Sequence, residues 1–146
     1  MTKGGHSAIV STAGNEDCHV ILRGGKQPNY DDASVDAAAK ALAEAGVPAR
    51  LMVDFSHGNS SKNPQKQIDV ARDVARQIAN GEERIFGIMV ESHLKSGRQD
   101  LIPGKPLQYG VSITDGCISW EESRGMLDEL AEAVSKRRVK AEAEAE

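Results

Sequence analysis

Three residues with metal-ligating side chains lie just after apolar runs or in turns. His57 lies in DFSHGNSSK (residues 54–62), Glu91 follows the apolar run RIFGIMV, and Asp115 lies in SITDGC (residues 112–117). An imidazole and two carboxylates suit a divalent metal ion of the manganese, iron or zinc type, which can polarise a carbonyl group. Each residue also has an ordinary interpretation: a hydrogen-bonding loop histidine, a Glu paired with Arg or Lys, and an Asx turn before glycine.

A second segment, RGGK (residues 23–26), combines cations with glycines. The guanidinium of Arg23 can hold a phosphate or carboxylate through two parallel hydrogen bonds, and the glycines let the backbone approach an anion closely. The same spacing also allows the glycines simply to turn the chain while Arg23 pairs with an acidic side chain. The residues alone leave both interpretations open.

Short apolar runs that end in polar residues predict the strands that carry these side chains. The predicted strands cover residues 19–23, 50–55 and 84–91. Their continuous apolar character is typical of strands that are buried on both faces of a sheet. In parallel α/β folds the ligand site lies at the carboxyl ends of the strands, which here carry Arg23, His57 and Glu91.

A helix is predicted after each strand. Ser34 is predicted to cap the first helix, a second begins near Pro64, and Ser119 with Glu122 forms an S-x-x-E capping box for the third. Strands alternating with helices predict an α/β fold with right-handed crossovers and a parallel sheet. Residues 6–12 read as an extra strand and residues 13–17 as a tight turn, which together predict part of a β-hairpin.

Composition excludes several classes of function. The chain has 146 residues with 18 Lys and Arg against 22 Asp and Glu, so it lacks the basic field that nucleic-acid or membrane-surface binding needs. No apolar run approaches the roughly 20 residues of a membrane span, and no signal peptide is present, so we expect a cytoplasmic protein. Cys18 and Cys117 lie too far apart in sequence to indicate a zinc finger or a disulfide framework. We expect one domain over residues 1–138 and a charged, disordered tail over 139–146.

Five segments together resemble the carboxyl-terminal part of the class I 3-deoxy-7-phosphoheptulonate (DAHP) synthases. They are GHSAIV (5–10), CHVILRGGKQPNY (18–30), MVDFSHGNSSKNPQKQ (52–67), GIMVESHL (87–94) and SITDGCISWE (112–121). The resemblance implies the sixth to eighth strands of a TIM (β/α)8 barrel, preceded by part of a β-hairpin. It also implies a transferase that condenses phosphoenolpyruvate with erythrose 4-phosphate and water to DAHP and phosphate, the first step of the shikimate pathway to chorismate and the aromatic amino acids.

The resemblance assigns roles to individual residues. It implies that His57, Glu91 and Asp115 are ligands of a divalent metal ion of the Mn, Fe, Co or Zn type, with His57 also assisting proton transfer. Arg23 is implied to bind phosphoenolpyruvate, and Lys26 to line the same pocket. The family's remaining metal ligand is a cysteine on the first barrel strand, which has no counterpart in this sequence, and neither Cys18 nor Cys117 falls in the matching motif.

Three strands are fewer than a barrel needs, since a TIM barrel takes about 250 residues. We therefore expect the isolated chain to be catalytically inactive and, because both edges of the sheet are open, to self-associate. The resemblance also implies that the parent enzymes are homo-oligomers. The alternative hypothesis is a metal- or phosphate-binding interaction module that pairs with a separate amino-terminal half. A third possibility is an incomplete gene model.

Overall fold

The predicted alternation of strands and helices is present in the computed structural model, which describes residues 3–15 and 17–144. The strands are β1 (Val20–Leu22), β2 (Leu51–Asp54) and β3 (Ile85–Met89). The helices are α1 (Asp32–Glu44), α2 (Lys66–Ala79) and α3 (Trp120–Glu144). Each strand is followed by a helix, although a long loop separates β3 from α3. The prediction of three βα units is confirmed.

The three strands form one parallel sheet in the order β1-β2-β3. Ile21 pairs with Met52, and Met52 pairs with Gly87. The register shifts between Leu51 and Met52, so Phe86 is an extra residue without a partner on β2. The parallel arrangement brings the carboxyl ends of all three strands to one edge of the sheet.

One face of the sheet packs on the helices and forms the core. Leu51, Val53 and Phe55 are fully buried, and they cluster with Val35 of α1 and Val74 of α2. The other face is open: Ile21 is 38% exposed, and no described segment covers it. The expectation that the first strand is buried on both faces is therefore wrong for this chain, because only one layer of helices packs on the sheet.

The start of α3 agrees with its prediction, whereas the N-cap of α1 differs from the one predicted. Asp31, not Ser34, is the N-cap of α1, and its Oδ1 accepts a hydrogen bond from the Ser34 N–H at 3.0 Å. The helix begins earlier than predicted because Asp is as good an N-cap residue as Ser, and the Asp31 carboxylate can accept from the backbone N–H of Ser34, three residues later. The capping box before α3 is confirmed: the Ser119 N–H donates to Glu122 Oε2 at 2.7 Å, and the Glu122 N–H donates to Ser119 Oγ at 3.3 Å.

The capping box makes stability depend on pH in a defined direction. The hydrogen bonds from the Ser119 backbone N–H and then its hydroxyl lower the pKa of Glu122 from its ordinary 4.5. A lowered folded-state pKa gives stability that is present above pH 4.5 and is lost as the pH falls through the folded-state pKa. We expect Glu122→Gln to flatten the acid limb of the curve of unfolding free energy against pH, measured by urea denaturation between neutral pH and about pH 3.

Glu121→Gln is the matched control, because the Glu121 carboxylate bonds with Arg124 at 3.4 Å instead of with the capping serine. If the acid limb of Glu122→Gln stays as steep as that of the wild-type chain, Glu122 does not contribute as its hydrogen bonds indicate.

The prediction of a disordered tail is wrong for residues 139–144, which are helical. Helix α3 continues to Glu144, and residues 145–146 lie outside the described part of the chain. Ala, Glu and Lys are strong helix formers, so the alternating sequence propagates the helix. Arg137 Nη1 donates to the Glu82 carbonyl at 2.8 Å and Lys140 Nζ to the Asn80 carbonyl at 2.9 Å, which ties this part of α3 to the end of α2.

The predicted hairpin is not formed. Residues 6–15 contain no strand, and residue 16 of the predicted turn lies outside the described residues. Ile9 and Val10 are 104% and 77% exposed, so the apolar residues that suggested a strand have no surface to pack on. Strand propensity without a pairing partner is insufficient to form a strand. Among the helices described, none is long and apolar enough to cross a membrane.

Candidate metal centre and anion pocket

The carboxyl edge of the sheet carries the residues singled out from the sequence. Strand β1 ends immediately before Arg23, β2 ends three residues before His57, and β3 ends two residues before Glu91. Because the strands are parallel and adjacent, these three positions lie side by side. The loop after β3 then returns Asp115 to the same edge.

His57, Glu91 and Asp115 form one cluster. Each offers a ligand atom, and these atoms all lie within 4.8 Å of one another. His57 Nε2 lies 3.9 Å from Glu91 Oε1. His57 and Glu91 are half-buried, whereas Asp115 is exposed. The convergence predicted for the three side chains is confirmed, and their role as metal ligands remains a prediction.

The donor set of this cluster fits a divalent metal ion. One imidazole nitrogen and two carboxylate oxygens are ligands that zinc, iron and manganese accept. Ligand atoms bonded to one ion at about 2.0–2.2 Å lie roughly 3–4 Å from one another. The separations in the cluster are close to that range, so small side-chain movements would complete a site with these three ligands.

His57 is held in a fixed orientation. Its backbone φ is +48°, a left-handed conformation that a side chain other than glycine adopts at a cost. Its Nδ1 lies 2.7 Å from Asp54 Oδ2 and 2.7 Å from Ser56 Oγ. The opposite ring nitrogen, Nε2, is therefore the atom that faces Glu91.

Glu91 is held through its backbone by Gln67 on α2. Gln67 is completely buried; its Nε2 donates to the Glu91 carbonyl at 3.1 Å, and its Oε1 accepts from the Glu91 N–H at 2.9 Å. The Glu91 carbonyl also accepts from the Ile118 N–H at 3.0 Å. The end of β3 is thereby joined both to α2 and to the loop that carries Asp115.

Neither cysteine belongs to the cluster of candidate ligand atoms. Cys117 is buried beside Asp115, and burial raises the pKa of its thiol. Its backbone pairs with Gly97 through hydrogen bonds of 2.8 and 3.1 Å, which closes the loop around Asp115. Cys18, just before β1, is exposed.

A cationic pocket adjoins the cluster. It is lined by Arg23, Lys26 and Lys62 together with His57 and Asp115. Arg23 and Lys26 are exposed, so both can rotate toward an anion in the pocket. The structure thus places both residues that we predicted to bind substrate next to the three predicted metal ligands. Lys62 is a further cation that the sequence reasoning did not single out.

Asn59 joins the segments that carry Arg23 and His57. Its Nδ2 donates to the carbonyls of Leu22 at 3.0 Å and Asp54 at 2.8 Å, and its Oδ1 accepts from the Asn29 N–H at 2.8 Å. It is 3% exposed. One side chain therefore ties the ends of β1 and β2 together beneath the pocket.

Sequence reasoning did not identify Gln67 and Asn59, and it gave Asp54 no role. For Gln67 a signal was present: it is spaced with Val70, Val74 and Ile78 on the apolar stripe of α2. A polar residue on a buried helix face must find hydrogen-bond partners, which makes it a candidate positioning residue. For Asn59 the sequence contains no comparable signal.

The chain is an α/β protein whose His-Glu-Asp cluster and cationic pocket lie at the carboxyl edge of a parallel sheet, the edge at which α/β folds carry their ligand sites. Residues 2–128 match the model of the DAHP synthetase I family. The chain therefore belongs to this family.

Individual relatives agree with this assignment. The chain is 58% identical over 138 residues to the Phe-sensitive phospho-2-dehydro-3-deoxyheptonate aldolase of Escherichia coli K12, covering 94% of this chain and 39% of that protein. It is 54% identical over 143 residues to the tyrosine-inhibited enzyme of that name from Schizosaccharomyces pombe, covering 94% and 38%. The structure of the aldolase from Francisella tularensis SCHU S4 superposes with a TM-score of 0.84 at 48% identity, covering 93% of this chain and 40% of that one.

The chain thus spans about two fifths of the length of the relatives it matches, and the matching part is their carboxyl-terminal portion.

Proposed function

We propose that this chain supplies the carboxyl-terminal, metal-binding part of a DAHP synthase. The reaction would be the condensation of phosphoenolpyruvate with erythrose 4-phosphate and water to give DAHP and phosphate. The observation that carries the proposal is the His57, Glu91 and Asp115 cluster beside a cationic pocket, in a chain that belongs to this family.

The residues of the site have complementary roles in this proposal. Arg23 and Lys26 would hold the phosphate or carboxylate of phosphoenolpyruvate, because a guanidinium and an ammonium suit anionic oxygens. His57, Glu91 and Asp115 would hold a divalent ion of the Mn, Fe, Co or Zn type. Such an ion, when bound, makes an aldehyde carbonyl more electrophilic. We assign His57 a further part in proton transfer through Nδ1, which faces the buried Asp54 carboxylate, because Nε2 would hold the metal ion.

The fold proposed for the complete catalytic unit is a TIM (β/α)8 barrel in which β1, β2 and β3 are the sixth to eighth strands. Two features favour it: the sheet is parallel, and its second face exposes apolar side chains, with Ile21 at 38% and Met89 at 37%. Residues 1–138 would belong to the barrel domain. The open face also favours self-association of the isolated chain, and we propose a cytoplasmic location.

A complementation assay tests the catalytic proposal. We expect the purified 146-residue chain to release no phosphate from phosphoenolpyruvate and erythrose 4-phosphate with Mn²⁺ above the level of a His57→Ala control. Adding the amino-terminal portion of the E. coli relative, which this chain does not match, is expected to restore turnover that depends on His57. No turnover from a soluble complex of the two parts would contradict the proposal, and turnover by the chain alone would contradict its inactivity.

The open apolar face also favours a second candidate, a metal- or phosphate-binding interaction module that pairs with a separate amino-terminal half. Calorimetric titration of the chain with Mn²⁺ and, separately, with inorganic phosphate separates this candidate from a purely structural fragment. We expect Mn²⁺ binding that Glu91→Ala abolishes and that Glu83→Ala, remote from the cluster, leaves unchanged. No heat, or heat unaffected by Glu91→Ala, would exclude the three-ligand site.

A further inference from the structure

Asp54 is a buried carboxylate at the end of β2 that contacts the proposed metal ligand His57. Its side chain is 1% exposed. Oδ1 accepts hydrogen bonds from the Ser56 N–H at 2.8 Å and the Ser56 hydroxyl at 2.7 Å, and Oδ2 lies 2.7 Å from His57 Nδ1. A buried carboxylate is tolerated only when donors of this kind surround it.

These contacts determine which nitrogen of His57 carries the proton. The Ser56 hydroxyl has one hydrogen, which it donates to Asp54 Oδ1, so it can only accept from His57 Nδ1. An ionised Asp54 is likewise an acceptor only. Both neighbours of Nδ1 therefore need a hydrogen on that nitrogen. In the neutral ring, Nε2 then carries the lone pair, and Nε2 is the atom 3.9 Å from Glu91 Oε1.

We propose that Asp54 is a positioning residue that locks His57 in the Nδ1–H tautomer and presents the Nε2 lone pair to the space shared with Glu91 and Asp115. This inference rests on the proposed function in so far as that space holds a metal ion. A carboxylate that accepts the second N–H of a ligating histidine fixes the ring and raises the basicity of the ligand nitrogen. Ser56 would hold the carboxylate in turn.

Asp54→Asn tests the proposal with little change in side-chain size. The two Ser56 donors require the amide oxygen at the Oδ1 position, so the amide NH₂ takes the Oδ2 position and points a hydrogen at His57 Nδ1. His57 is then expected to shift its own proton to Nε2, the nitrogen that should bind the metal. The same exchange of tautomers follows when an amide replaces the carboxylate of a Ser-His-Asp triad.

The first readout is the tautomer itself, obtained by ¹⁵N NMR of the metal-free 146-residue chain at a pH where imidazoles are neutral. The His57 signals are identified by their absence from the His57→Gln spectrum. We expect Nδ1–H in the wild-type chain and Nε2–H in Asp54→Asn. Wild-type His57 with its proton on Nε2 overturns the proposal whether or not the variant folds, and so does a folded Asp54→Asn that keeps Nδ1–H.

The second readout is the affinity for Mn²⁺ alone, measured by calorimetry. We expect Asp54→Asn to bind about 10- to 100-fold more weakly than the wild-type chain. Asp69→Asn, which removes an exposed carboxylate from α2, is the matched control and should bind as the wild type does. Unchanged affinity in Asp54→Asn overturns the positioning role. If the wild-type chain binds no Mn²⁺, the proposed metal site fails, while the tautomer readout still decides what Asp54 does to His57.

Discussion

Gly24→Ala is expected to destabilise the protein by roughly 3 kcal/mol or more. Gly24 has a φ of +73°, in the region where a side chain is strained. A Cβ there would lie 2.6 Å from the Asn59 nitrogen and 2.6 Å from the Gly58 carbonyl carbon. These are backbone atoms of the turn that carries His57, so neither can move aside without moving the site. The free energy of unfolding from urea denaturation measures the effect.

The adjacent Gly25→Ala is the matched control. A Cβ at Gly25 would meet no atom within 4 Å, and its φ is not in the left-handed region. We expect Gly25→Ala to change the free energy of unfolding by less than about 1 kcal/mol. Equal effects of the two substitutions on the free energy of unfolding would contradict the prediction that the close approach of Gly24 to the backbone of Gly58 and Asn59 excludes a side chain.

Gln67→Leu is expected to cost stability and to weaken metal binding together. The substitution keeps the apolar bulk in the core but leaves the Glu91 N–H without its acceptor, which costs about 1–3 kcal/mol. It also frees the backbone of a proposed ligand, so we expect Mn²⁺ affinity to fall by about tenfold or more. Urea denaturation and calorimetric titration with Mn²⁺ give the two quantities.

Gln77→Leu on the same helix provides the comparison. Gln77 is also buried, but its Nε2 donates to the Tyr30 carbonyl at 2.8 Å and to Asp73 Oδ1 at 2.6 Å, away from the cluster. Its Oε1 has no hydrogen-bond partner among the described residues, so its removal also relieves an unpaired buried atom. We expect Gln77→Leu to leave Mn²⁺ affinity unchanged. A similar loss of affinity in both variants would assign the effect to general loosening of α2.

Sequence patterns predicted the parts of the fold that depend on the local sequence, namely the strands and most of the helices. The apolar runs before Arg23, His57 and Glu91 became neighbouring strands, and their parallel pairing explains why the three side chains meet. The strand over residues 6–12 of the hairpin was predicted wrongly, because a short apolar run such as Ala8 to Val10 indicates only a capacity to pair. The helix over residues 139–144 was missed because the charge pattern was weighed above the high helix propensity of Ala and Glu.

The parts of the site that could not be predicted are long-range hydrogen bonds. Asn59 reaches Leu22, which is 37 positions earlier, and Gln67 reaches Glu91, which is 24 positions later. No local periodicity specifies which backbone group a buried amide will find. Asp54 was visible as an acid at a strand end, but its contact with Nδ1 of His57 depends on the left-handed conformation of that histidine.

The strands follow one another across the sheet in the order in which they occur along the chain, and this bears on biosynthesis. Each new strand pairs with the one made just before it, so the sheet can grow as the polypeptide leaves the ribosome. The Arg23 turn and His57 emerge first, then Glu91, and Asp115 arrives only in the final third of the chain. Of the three proposed ligands, Asp115 is therefore synthesised last, after the strands that carry His57 and Glu91.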